Sequence, residues 1–125
     1  MNQKEITTAK LIRLIESGEK ENIRLRSWQL AQLFGVYESA VPANIKSIVK
    51  SNIVKPDYNS TLVQTGGILL PEVYDLDMVI ALAFRLDSPN ADEFRKWILR
   101  KLEKSSDVFD DRIIIYPLNN PMTLN

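Results

Sequence analysis

The sequence predicts a mainly helical α+β fold: a pair of short helices and a β-hairpin, followed by two packed helices. Three observations predict it. Two stretches of helical apolar spacing, 27–34 and 38–50, meet at Gly35. β-favouring residues flank a Gly66-Gly67 turn. Two more helical stretches open at good start signals, Asp75 and Ser88.

Residues 3–17, QKEITTAKLIRLIES, give an amphipathic helix with Ile6, Leu11, Ile12, Leu14 and Ile15 in its apolar stripe and Gly18 as its stop. NIRLR then alternates. Ile23 and Leu25 fall on one side and Arg24 and Arg26 on the other, which predicts a short strand. Ser27 suits the N-cap of a helix through Phe34, and Gly35 tolerates the positive φ of a tight turn. Ala31 is small enough for a close helix crossing, with Leu30, Phe34, Val36 and Val41 to lock it.

The second helix of this pair contains Pro42, and two starts are open. With Ser39 as N-cap, the proline is the third helical residue and loses no hydrogen bond. Alternatively the helix begins at Pro42, after a longer turn. Either way it starts late. Val41, Ile45, Ile48 and Val49 point inward, and the opposite face is Ser39, Ala43, Lys46, Ser47 and Lys50.

STLVQTGGILLPEVY reads as a hairpin, either a DNA-contacting wing or, the better reading of its uncharged tip, one that closes the core. Pro71 marks an edge or a bulge. Asp75 caps a helix over 76–86 that is apolar nearly all round and hence central. For the last helix, Ser88 can cap with Pro89 first, or Asn90 can pair with Glu93 in a capping box. Phe94, Trp97, Ile98 and Leu102 form its buried stripe. The tail holds one strand-like run, Ile113–Tyr116.

The order helix, strand, helix, helix, strand, turn, strand is that of a winged helix. The chain of 125 residues therefore reads as a single domain: a winged-helix-like helix-turn-helix part (1–74), two helices (75–104) and a tail (105–125).

Composition narrows the function. There is no Cys and no His, which removes disulfides, zinc fingers and Cys–His nucleophiles. No cofactor or metal is expected. Asp75 and Asp77 suit a helix start. Asp107, Asp110 and Asp111 fall in an expected loop, and no lysine follows PEVYD in a nuclease-like pattern, so no catalytic site is expected. Neither a membrane span nor a signal peptide is visible, which predicts a soluble cytoplasmic protein.

Sixteen basic residues balance sixteen acidic ones, unlike a strongly basic nucleic-acid binder. The balance is uneven, though. Residues 1–70 hold nine Lys/Arg against six Asp/Glu, net +3, and residues 71–125 hold seven against ten, net −3. An anionic partner should meet the first part. The expected double-stranded DNA contacts are Arg24, Arg26, Ser39, Lys46, Ser47, Lys50 and Lys55. Glu38 would repel phosphate. A homodimer through the first helix or the Ile113–Tyr116 strand would double the footprint. The other reading is a protein–protein module that keeps the fold without reading DNA.

WQLAQLFGVYESAVPANIKSIVKSNIV resembles the N-terminal segment of the RhuM family of bacterial virulence-associated proteins. YDLDMVIALAFRLDSPNADEFRKWILRKL is closer to it, at Tyr74, Leu76, Asp77, Arg85, Ser88, Phe94, Arg95 and Trp97. The Phe-Arg-x-Trp ending is also similar to phage antirepressor N-terminal domains of the Bro and KilA type. The resemblance implies a bacterial or prophage-borne DNA-binding regulator. Arg85 and Arg95 match the family pattern, and their expected role is structural, bonding carbonyls at a helix end or pairing with Asp77 or Asp87, with phosphate binding as the alternative.

Overall fold

The computed structural model describes residues 5–56, 61–65 and 67–109. It is a mainly helical α+β structure with five α-helices and two small antiparallel sheets, one of them a hairpin. Contacts group the chain into two units, up to Arg95 and from Lys96 on. Among the described residues, no helix is long and apolar enough to cross a membrane.

Helix α1 spans Thr8–Glu16, starting later than the apolar spacing suggests. Thr7 explains the difference: its hydroxyl accepts from the Lys10 amide at 3.2 Å and caps the helix there. Ile6 therefore precedes the helix. Gly18, at φ +81°, ends the turn that follows. A 3-10 turn, Lys20–Asn22, leads into strand β1, Leu25–Arg26. Ile23 and Leu25 are buried, while Arg24 and Arg26 are exposed, as alternation requires.

Helix α2 is Ser27–Phe34. Ser27 is its first helical residue, not its cap. Arg26 occupies the cap position because it is still paired in β1, and its amide donates to Gln29 Oε1 at 2.8 Å. Gly35 ends α2 in the left-handed region, φ +67°. Its amide bonds Gln32 O at 3.3 Å, and the Val36 amide bonds Ala31 O at 3.0 Å, the two closures of a Schellman turn.

Helix α3, Ala40–Lys50, packs against α2 and α4. Strands β2 (Leu62–Thr65) and β3 (Ile68–Pro71) pair with Thr65 opposite Ile68, leaving two residues for the turn. Pro71 sits opposite Leu62. The neighbouring Glu72 amide donates to Thr61 O, so the pair containing Pro71 is one whose amides face away from the partner strand. A proline costs no ladder bond there. One residue later the chain re-pairs as β4, Val73–Tyr74, with Leu25 opposite Tyr74 in β1.

Helix α4 is Leu76–Ala83, shorter than the expected 76–86. Asp75 holds the cap position through its carbonyl, which accepts from the Val79 amide at 3.1 Å. Met78, Val79, Leu82 and Ala83 are buried, but Phe84 is half exposed just past the end. Helix α5 runs Pro89–Phe109, so Asp107 is helical and not in a loop. Ser88 caps it, accepting from the Ala91 amide at 3.2 Å, with Pro89 as first helical residue. Asn90 is thereby released for another use. Phe94 is fully buried, whereas Leu102 is 58% exposed and does not belong to the buried stripe. The Ile113–Tyr116 run, Asp110 and Asp111 lie outside the described residues.

Replacing Gly35 by Ala puts a Cβ into a left-handed backbone, and this should lower stability by about 1–2 kcal/mol. The nearest atom to that Cβ, Asn90 Nδ2 at 3.4 Å, adds no severe clash. Urea unfolding of Gly35→Ala checks it.

Candidate nucleic-acid interface

The site is built around α3. The turn after Gly35 closes with the Ala40 amide on Tyr37 O at 3.0 Å and the Val41 amide on Glu38 O at 3.2 Å. The helix thus starts before Pro42, the first of the two starts open from sequence. Pro42 is its third residue. The carbonyl its missing amide would have reached, that of Glu38, already accepts from Val41, so no acceptor is orphaned. Ser39 occupies the cap position without a side-chain bond.

Val41, Ile45 and Ile48 are fully buried and fix the rotation of α3; Val49 is half buried. That rotation leaves Ser39, Ala43 and Lys50 exposed and Lys46 and Ser47 half buried, with Glu38 exposed beside the helix start. Ser47 Oγ donates weakly to Ala43 O at 3.4 Å, which engages its proton within the helix. A second Schellman turn ends α3. Asn52 lies at φ +59°, its amide on Val49 O and the Ile53 amide on Ile48 O. It turns the chain toward Lys55, which lines a small cleft with Arg24, Val73, Tyr74 and Asp75. Two of the predicted cations, far apart in sequence, are thus brought together.

Arg26 does not line that cleft. Its guanidinium pairs with Glu72, both side chains being roughly half exposed. This pair lines a groove of about 250 Å³ with Trp28, Pro42 and Val63. The pairing follows from the β1–β4 register, which sets Arg26 opposite Val73 and so next to Glu72.

Arg85 and Arg95 go to different places. Arg95 donates through Nη1 to Ala83 O at 2.5 Å and Leu86 O at 2.8 Å, and through Nη2 to Asp92 at 3.4 Å. It closes the C-terminal end of α4, and its acidic neighbour is Asp92, not Asp77 or Asp87. Arg85 donates to Asn44 Oδ1 at 3.2 Å, and Asn44 Nδ2 bonds back to Ala40 O at 2.7 Å. An exposed cation is thereby held on the flank of α3. Sequence spacing does not reveal this, because the two residues are 41 positions apart. The remaining motif residues are Tyr74, buried in β4; Asp77, exposed in the first turn of α4; Phe94, in the core; and Trp97, whose ring carries Lys101 Nζ at 5.8 Å.

A separate groove of about 580 Å³ runs along α1 over an apolar floor of Ile6, Leu14 and Leu25. Among the described residues, no group of three or more acidic side chains is placed to hold a metal ion. No family model matches the chain, and no curated protein or solved structure matches it either.

Arg95→Met should cost about 2–3 kcal/mol, because it strips charge-assisted bonds from carbonyls at a helix end. Thermal and urea unfolding measure this. Arg85→Met, at an exposed site, should cost well under half as much.

Proposed function

We propose that the chain is a DNA-binding protein of winged helix-turn-helix type, with α3 as its reading helix, acting as a transcriptional regulator or prophage antirepressor accessory. The observation that carries the reading is the Gly35 Schellman turn, which sets α3 against α2 with Lys46, Ser47 and Lys50 on its outer side. The pairing of β1 with β4, after a hairpin, supports the winged arrangement. The likeness of Tyr74, Asp77, Arg85, Phe94, Arg95 and Trp97 to RhuM-type motifs points the same way. Arg24, Lys50 and Lys55 would meet phosphates beside Lys46, and Arg85 would add a contact from the flank. The protein is a binding module in this reading, without catalysis or cofactor.

Four or five phosphate contacts imply a log–log salt slope of about −4. Fluorescence anisotropy with mixed-sequence duplex DNA at low and moderate salt tests this. Lys46→Glu/Lys50→Glu should weaken binding strongly and flatten the slope by about 2. Wild-type binding that is absent or indifferent to salt, or a double variant that binds as well as wild type, removes the reading.

A protein–protein role is the second reading, favoured by one observation: Glu72 neutralises Arg26 at the edge of the apolar groove beside Pro42. The same pair gives a discriminating prediction. Under the DNA reading, Glu72→Gln frees Arg26 and should steepen the salt slope by about 1.

A further inference from the structure

The β2–β3 hairpin has two outer edges of different character. The Glu72 amide bonds Thr61 O, and the register continues through Val63 opposite Leu70 and Thr65 opposite Ile68. In an antiparallel ladder these alternate residues spend their amides and carbonyls on the partner strand. Those between them face outward: Leu62 and Gln64 on β2, Leu69 and Pro71 on β3. The β3 edge is blunted, since Pro71 has no amide to offer. The β2 edge is not. Among the described residues β2 pairs with β3 alone.

Charge and exposure set the β2 edge apart. Residues 58–71 contain no charged residue, in a chain that is 26% charged. Sheet edges are ordinarily guarded by lysines, prolines or bulges, and Leu62–Thr65 has no charged residue and no proline. Val63 is 42% exposed.

We propose that the β2 edge is a homodimer interface, in which β2 of one copy pairs antiparallel with β2 of a second about a two-fold axis at Val63. Leu62 of one copy lies opposite Gln64 of the other. Their outward groups then match in four backbone hydrogen bonds, two at each end of the axis. Val63 meets its own copy across the axis, with Cβ atoms about 5 Å apart. A second copy of this chain fits better than a charged partner, because a neutral edge meets its own image without repulsion. A two-fold contact also closes, so the sheet stops at four strands. The proposal rests on the hairpin alone and stands or falls separately from DNA binding.

Sedimentation equilibrium of the full chain from about 1 to 500 µM, the range expected of a small interface, tests it. Wild type should show a concentration-dependent monomer–dimer equilibrium. Val63→Lys places two ammonium groups face to face. Gln64→Pro removes an amide that only the second copy uses, so the hairpin ladder is left intact. Each should weaken dimerisation by about tenfold or more. Leu69→Lys, at an exposed site on the other strand, should leave it unchanged. Far-UV circular dichroism and thermal melts verify that each variant is folded at the measuring temperature. A wild type that stays monomeric over the whole range overturns the proposal. So does a dimer that resists both β2 variants, including one dissolved instead by Leu102→Glu on α5.

Discussion

The first two turns of α5 hold the ends of other helices, and the rest of the structure depends on that arrangement. Asn90 Nδ2 donates to Leu33 O at 3.0 Å, satisfying a terminal carbonyl of α2. Glu93 accepts from Thr8 Oγ1 at 3.1 Å, tying down the start of α1. Arg95 closes α4. Helix C-termini leave carbonyls without intrahelical partners, and those turned toward a core must find donors elsewhere. Here a single helix start provides them for both α2 and α4. Ser88 makes this possible, because by capping α5 itself it leaves Asn90 and Glu93 free to reach outward.

The consequence reaches α3. Its direction follows from where α2 stops, and α2 stops at Gly35 with Asn90 bonded to the carbonyl two residues before it. The buried trio Val41, Ile45 and Ile48 then sets its rotation. Pro42 is compatible with this because it falls in the first turn, where a missing amide removes nothing. The proline that looks disruptive in the sequence is accommodated by a helix that begins two residues before it.

Charge placement is also a tertiary outcome. Strand alternation puts Arg24 and Arg26 on the exposed side together. Register then gives them different neighbours: Arg26 meets Glu72, while Arg24 lies in a cleft with Lys55. Arg85 moves in the opposite sense, from an expected acidic partner nearby in sequence to Asn44 on α3. Arg85 is thus bonded to α3, where sequence spacing did not place it, while Arg26 is held by Glu72.

By itself, the sequence determined element type and the main turns. Apolar spacing at 3.6 or 2 residues and the positive φ of Gly35 and Gly67 are local constraints that act over a few residues. Helix ends were less legible. Thr7 rather than the apolar stripe decided where α1 begins, Arg26 rather than Ser27 took the cap position of α2, and α5 continued through Phe109 past the expected tail boundary. The tertiary structure alone decided which polar groups meet. Asn90 lies 57 residues from Leu33, and Arg26 lies 46 from Glu72. No local window contains both members of such a pair. Their meeting is fixed only when the buried faces of the helices and the strand register have been chosen together.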